Sequence, residues 1–323
     1  MSDSSANDWA RSWPAPAKLN LFLHVVGRRS DGYHLLQSAF RLIDLADSLR
    51  FAPRDDGRIA LASLLEGVPE ERDLCVRAAR LLHAAAAGRG LAAREVSRGV
   101  SRGVTREVTR GVTRGVTISL EKRIPMGGGL GGGSSDAATV LLALNRLWQT
   151  GFSRPELQAL GLQLGADVPF FLSGGNAFAE GVGEVLTPLD LPPAWYLILV
   201  PAVQVPTAAV FAASELTRNT KSVKISSFSG GSSGVWSDAE GGKLGVDFGR
   251  NDLQPVVCAR YPEVARCLDW LAAFGRVRMS GSGACVFAQF DRRGEADAVL
   301  AKLPAGMRGM VVAGLARHPL DGG

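Results

Sequence analysis

Three groups of residues in this chain have the types and spacing to act on a phosphate. The first is Lys122-Arg-Ile-Pro-Met-Gly-Gly-Gly-Leu-Gly-Gly-Gly-Ser-Ser-Asp-Ala-Ala138, with six glycines between Gly127 and Gly133. Glycine lacks a Cβ and reaches positive φ freely, so a ligand can approach such a backbone closely. Ser134, Ser135 and Asp136 offer capping groups, and the residues up to Trp148 follow with the apolar spacing of a helix. A glycine loop that opens a helix gathers unpaired N–H groups and the positive end of the helix dipole at one point, which makes a phosphate cradle. No Gly-Lys-Ser/Thr closes the run, so it is not a P-loop, and the βαβ context of the dinucleotide fingerprint is missing. A flexible linker would not lie between the strand-like Val116-Thr-Ile-Ser-Leu120 and an amphipathic helix.

The second group is a pair of charges in apolar surroundings. Lys18 stands in Pro14-Ala-Pro-Ala-Lys-Leu-Asn-Leu-Phe-Leu-His-Val-Val26, and Asp167 in Gly165-Ala-Asp-Val-Pro-Phe-Phe171. A lone charge is costly in either place unless it finds a partner. Phosphoryl transfer needs a phosphate cradle, cations on the charge and a group that orients or deprotonates the attacking hydroxyl. Brought together, Asp167 can serve as the base while Lys18 stabilises the carboxylate and the alkoxide. The alternative is a structural ion pair, or a solvated lysine beside an Asx turn. The third group is Met279-Ser-Gly-Ser-Gly-Ala-Cys-Val-Phe287. It reads as a tight glycine turn leading into a strand, or as a second wall closing a triphosphate pocket.

The elements that must position these groups follow from periodicity. Pro14–Val26 reads as a strand with Lys18, Asn20, Phe22 and His24 on one face, and a turn over 27–32 leads to a second strand after Tyr33. Further short strands are expected at 47–51 and 58–62, and a helix from 74 to 86 with Asp73 as its N-cap. Ser153, Pro155 and Glu156 predict a capping box and a first-turn proline for another helix. Pro169 bars its segment from a hydrogen-bonded ladder. Residues 176–186 read as two strands round Gly181, 195–200 as a buried strand, and 206–214 as a helix start with Thr207 in its first turn. Helices at 252–259, 261–273 and 295–302 then alternate with strands at 276–279, 284–290 and 309–313, the pattern of a split βαβ unit.

With 323 residues, 46% of them apolar and 21% charged, the chain has the length for two soluble globular domains. We place a polar tail at 1–13, one domain at 14–188 and a second at 189–323, with a Ser/Gly-rich loop over 219–249. The N-terminus is polar and acidic, unlike a secretory signal, and no apolar run has the length of a membrane span. Cys75, Cys258, Cys267 and Cys285 are scattered without metal-ligand spacing and read as reduced, buried thiols of a cytoplasmic protein. The net charge of +5 invites a nucleic-acid partner, but Arg94–Thr117 consists of six tandem tetrapeptides of the Arg-Gly-Val-Thr type whose six Arg and two Glu supply +4. The basicity is therefore local. The period of four sets the valines on one face of an extended ribbon, which either lengthens a hairpin ending in Val116–Leu120 or forms a disordered loop.

Taken in order, Pro14–Leu23, the Arg29-Ser-Asp-Gly-Tyr-His34 turn, the glycine loop, Leu164–Phe171, Ala177–Glu184 and Met279–Phe287 resemble the GHMP small-molecule kinases. Asp-Gly-Tyr-His together with the glycine loop and Gly-Ala-Asp-Val-Pro resembles the branch that acts on 4-diphosphocytidyl-2-C-methyl-D-erythritol. The resemblance spans about Pro14 to Ala313. It implies an α+β fold with an N-terminal domain like ribosomal protein S5 domain 2 and a C-terminal ferredoxin-like domain. It implies ATP as phosphoryl donor, with Mg²⁺ held mainly by phosphates and water, and a substrate in the cleft between the domains. Asp167 would be the general base and Lys18 its catalytic partner. Lys122, Pro125, Met126, Gly127, Gly128, Gly129, Leu130, Gly131, Gly132, Gly133, Ser134 and Ser135 would hold the nucleotide. Asp73 would lie by the adenine, at a position where the family often has Asn. Tyr33 and Phe211 would sandwich a cytosine whose edge His34 reads, and Asn20, Thr207, Gly281, Ser282 and Gly283 would complete the substrate site. No protein ligand to a metal is expected, nor a nucleic-acid or membrane partner, and the chain would be a monomer or weak homodimer.

Overall fold

Largely apolar residues, buried in continuous runs, build a pair of long strands near the N-terminus, β1 (Trp13–Arg28) and β2 (His34–Arg54). They are antiparallel, and their register shifts between Pro16 and Ala17, Asn20 and Leu23, and Val25 and Gly27. In this computed structural model, which describes residues 8–89, 93–97, 100–101, 104–105, 108–112, 115–223 and 249–321, the segments expected as separate strands at 34–43 and 47–51 form one strand of 21 residues. β3 (Ile59–Leu61) follows. The described parts of the tetrapeptide repeat fold back on themselves: β4 (Ala93–Ser97) pairs antiparallel with β7 (Val108–Val112), and β5 (Val100–Ser101) with β6 (Val104–Thr105). That register sets Arg94 opposite Gly111 and Glu95 opposite Arg110. β8 (Gly115–Glu121) rejoins the main sheet, antiparallel to β2 and parallel to β3. β9 (Ala177–Glu180) and β10 (Val185–Pro188) form the expected hairpin round Gly181 and complete the order β10-β9-β2-β8-β3, with β1 on β2.

Helices Leu74–Gly88, Gly132–Leu147, Arg154–Leu162 and Val168–Ser173 share a core with this sheet, built from Phe40, Leu42, Leu82, Leu141, Leu144 and Phe170 among others. Asp73 caps the first through Cys75 N and Val76 N, and the Ser153–Glu156 capping box closes the start of the third. The second departs from expectation. Its N-cap is Gly131 in the left-handed region (φ 73°), and no side chain caps it. Ser135 Oγ instead donates to Pro16 O at 2.6 Å. The fourth helix, with Pro169 in its first turn, is absent from the sequence reading.

The second sheet contains β11 (Trp195–Leu199), β12 (Val277–Met279), β13 (Val286–Phe290) and β14 (Gly309–Ala313) in the order β12-β13-β11-β14, all antiparallel. Helices Gln254–Arg260 and Pro262–Ala272 link β11 to β12, and Arg293–Leu300 links β13 to β14, which is the expected ferredoxin-like pattern. Most of the loop at 219–249 lies outside the described residues. A third apolar cluster joins Leu19, Phe22, Ala39 and Ile43 of the first sheet to Tyr196, Ile198, Phe287 and Val312 of the second, with Ile124 ahead of the glycine loop and Leu130 within it. The last described residues return to the first sheet and the helix beside it: Leu315 N donates to Leu42 O of β2, and His318 N to Gly174 O at the end of helix Val168–Ser173. Among the described residues no helix is long and apolar enough to cross a membrane.

Candidate active site

The glycine loop is held from both sheets. Lys18 N on β1 donates to Leu130 O at 2.9 Å, while Ala284 N and Cys285 N, ahead of β13, donate to Gly127 O and Gly128 O. Ser280 Oγ donates to Gly129 O at 2.9 Å and accepts from Asn20 N at 3.2 Å. The approach is too close for any side chain: a Cβ on Gly129 would lie 2.1 Å from Ser280 O, at a φ of 73°. One on Gly131 would meet the Phe171 ring at 2.9 Å and Lys18 Cγ at 3.1 Å. The loop and the uncapped N–H groups that follow it line a cavity of about 650 Å³, which both Lys18 and Asp167 also line. An uncapped helix start beside small residues is a binding surface for anions.

Lys18 is 3% exposed, and its Nζ stands 3.5 Å from Asp167 Oδ2. The same ammonium donates to Asn20 Oδ1 and lies 5.1 Å from the centre of the Phe40 ring. Asn20 is fixed in turn, since its Nδ2 donates to Ser38 Oγ at 2.8 Å and Ser38 Oγ donates to Phe22 O. The register shift that follows Asn20 on β1 falls beside these contacts. Asp167 is the N-cap residue of helix Val168–Ser173 but makes no capping bond, so its carboxylate, about one-third exposed, is left to the cavity. The two charges that the sequence marks as costly are thus brought together.

Lys122 extends under the loop, where its Nζ donates to Asp47 and, at 2.8 Å, to Asp136 Oδ2. Asp47 also accepts from Arg123 N and Ile124 N, which fixes the strand-to-loop turn. Burial, with the Asp47 charge adding to it and Lys122 opposing, pushes Asp136 up to about 7. Burial acts to lower the Lys122 ammonium, but Asp136 and Asp47 outweigh it and hold the pKa above its ordinary value. Asp73 reaches the same cavity beside Leu65, Val68, Arg72, Pro125 and Met126.

Next to it lies a second cavity of about 560 Å³ that shares Leu36, Ala166, Val182, Thr207 and Phe211 with the first. Tyr33, 65% exposed, and His34 line this one. The His34 and Phe211 rings lie 5.1 Å apart at 31°, and Thr207 Oγ1 shares a hydrogen bond of 2.7 Å with Ser282 Oγ. Gly281, Ser282 and Gly283 line the larger cavity, where Asn251 Nδ2 donates to Gly281 O at 2.7 Å. Among the expected nucleotide residues only Ser135 lies off the cavity, its hydroxyl tied to Pro16.

Residues 73–175 match the N-terminal domain of the GHMP kinases and residues 239–309 the C-terminal domain. The chain is 56% identical to a 4-diphosphocytidyl-2-C-methyl-D-erythritol kinase of Thiobacillus denitrificans, over 96% of this chain and 98% of the relative. It is 53% identical to one of Dechloromonas aromatica, over 95% and 98%. The chain belongs to the GHMP kinase family. A solved 4-(cytidine 5'-diphospho)-2C-methyl-D-erythritol kinase superposes with a TM-score of 0.71 at 34% identity, covering 95% of this chain and 100% of that one. Mevalonate kinase of Methanococcus jannaschii, at 12% identity and a TM-score of 0.59, shares the fold.

In this GHMP kinase several site residues escaped the sequence reading. Asp47 is 1% exposed, and its signal was an acid inside an apolar strand, the same argument that singled out Asp167. Ser280 and Asn251 had no such signal, because a serine or asparagine in a turn is ordinary. No group of three or more His, Cys, Asp or Glu among the described residues is placed to hold a metal ion.

Proposed function

We propose that this kinase transfers the γ-phosphoryl group of ATP to the 2-hydroxyl of 4-diphosphocytidyl-2-C-methyl-D-erythritol, giving the 2-phosphate and ADP in non-mevalonate isoprenoid biosynthesis. The observation that carries the reading is the Lys18–Asp167 pair, 3.5 Å apart, set between an uncapped glycine-loop helix and a cavity lined by Tyr33, His34 and Phe211. The loop N–H groups from Gly127 to Ser134 receive the phosphates, with Lys122 and Asp73 towards the nucleoside. Tyr33 and Phe211 enclose the cytosine and His34 reads its edge. Asp167 accepts the hydroxyl proton, and Lys18, held by Asn20, stabilises the oxyanion as it develops. A loose transition state asks little of base strength, so much of the work is alignment of the hydroxyl. Mg²⁺, held by the ATP phosphates and water, would supply neutralising charge.

On the same reading residues 14–188 and 189–323 are the two domains, and the repeat at 94–117 takes no part in the reaction. The protein acts in the cytoplasm on a small molecule, without nucleic-acid or membrane partners, as a monomer or weak homodimer. The test is steady-state ADP release with ATP·Mg²⁺ and the diphosphocytidyl substrate. Wild type should turn over only with that substrate, and Asp167→Asn should lower kcat by about 10²-fold or more with little change in the KM for ATP. A folded wild type without substrate-dependent turnover would refute the reading.

A further inference from the structure

Arg218 has no part in the function described above, yet its whole guanidinium is engaged at the second cavity. Its Nη1 donates to Leu216 O at 3.0 Å, and its Nη2 to Phe211 O at 3.1 Å and Ala213 O at 2.6 Å. The last carbonyls of a helix lack intrahelical partners, and the planar fork of an arginine suits them. The remaining nitrogen, Nε, donates to His34 Nε2 at 3.0 Å. One side chain therefore binds the end of helix Thr207–Phe211, which carries Phe211, to the start of β2, which carries His34.

Arginine offers donors only, so the imidazole nitrogen facing it must be the acceptor. A neutral imidazole with Nε2 as acceptor bears its proton on Nδ1. Burial, then the charges of Arg218 and Arg28, lowers the His34 pKa below its ordinary value, which keeps the ring neutral. Packed at a tilt against Phe211 with Nε2 engaged, His34 has one nitrogen left for a ligand, and that nitrogen is a donor.

We propose that Arg218 is a positioning residue that sets base specificity, by fixing His34 as an Nδ1–H donor beside Phe211 so that the cavity accepts cytosine and rejects uracil. The inference rests on the reading of this cavity as the cytidine site. Cytosine presents an unprotonated N3 where uracil presents N3–H. A donor fixed against N3–H leaves two donors opposed, and a buried unmatched donor is costly. Without Arg218 the imidazole could take either tautomer and accept from uracil.

The ¹⁵N spectrum of His34 and the kinetics of the cytidine substrate and its uridine analogue test this together, in wild type, Arg218→Met and Arg218→Lys. In wild type His34 should show a single Nδ1–H tautomer, and the cytidine substrate should be preferred. In Arg218→Met the tautomers should mix, KM for the cytidine substrate should rise about tenfold and most of the base preference should vanish, with KM for ATP unchanged. Arg218→Lys keeps one donor at His34 and should recover the tautomer and part of the preference. An Nε2–H tautomer in wild type overturns the inference without recourse to any variant. So does a folded Arg218→Met that keeps both the tautomer and the cytidine-to-uridine ratio while wild type turns over. A wild type that uses neither pyrimidine substrate defeats the functional reading, and the inference with it.

Discussion

Lys122 shares its ammonium between Asp47 and Asp136, all three beneath the loop expected to hold phosphate, and Asp136 Oδ1 has no hydrogen-bond partner. Burial, with the Asp47 carboxylate adding to it and a single cation opposing, raises the pKa of Asp136 from 3.8 to about 7. The sign of the consequence follows from linkage. Between those two values the folded protein holds a proton that the unfolded chain has lost, so stability from this group is greatest at low pH and declines as pH rises through about 7. Lys122, raised rather than lowered, stays charged across the window. Wild type should therefore lose melting temperature from pH 5 to pH 8, and Asp136→Asn, neutral throughout, should lose less, by about 5 °C. Melting curves across that range decide it. Equal slopes would mean that Asp136 is ionised in the folded protein throughout that range.

Among the elements, the helix at Leu74–Gly88 joins stability to the site. Asp73 Oδ1 alone accepts from both Cys75 N, at 2.8 Å, and Val76 N, at 3.3 Å. Asp73→Ala removes the cap and should cost about 1–2 kcal/mol in denaturant unfolding. Asp73→Asn keeps an oxygen for the cap and puts an N–H₂ where Oδ2 stands, so stability should hold within a few tenths of a kcal/mol while the KM for ATP changes. A loss of stability as large in the Asn variant as in the Ala variant would show that the second oxygen caps as well. This cap was legible because Asp before an apolar-periodic run has one common meaning, as was the Ser153–Glu156 box. The start of helix Gly132–Leu147 was misread for the opposite reason. Ser134, Ser135 and Asp136 have capping side chains, but Gly131 can take the left-handed turn that brings the chain past Phe171 and Lys18, so the helix begins earlier and its N–H groups stay open. Helix Val168–Ser173 was missed because six residues are too few for periodicity, and Pro169 bars a strand while favouring a first helical turn.

For the whole molecule, the charges proposed to do the chemistry were legible and the contact that ties their strand to the glycine loop was not. Lys18 and Asp167 announce themselves as charges in apolar runs, whereas Ser280 joins β1 to the glycine loop only after two sheets have packed. Its hydroxyl is wholly buried and serves Asn20 N and Gly129 O at once. Ser280→Ala leaves a donor and an acceptor buried and unpaired, which should cost about 1–3 kcal/mol. The apolar cluster between the sheets should keep unfolding to one transition, so the loss should appear as a lower melting temperature for the entire chain. ATP bound at the loop should stabilise that same transition, by about 2.7 kcal/mol at a hundred times Kd. Gly129→Ala cannot be absorbed as Ser280→Ala can, since its Cβ would stand 2.1 Å from a backbone carbonyl oxygen at positive φ. It must move the loop off the second sheet, and the melting temperature should then cease to respond to ATP, while Ser280→Ala responds with a smaller shift than wild type. An ATP-dependent shift of wild-type size in Gly129→Ala would mean that the nucleotide is held elsewhere, and that the contact between the two sheets through this loop is structural alone.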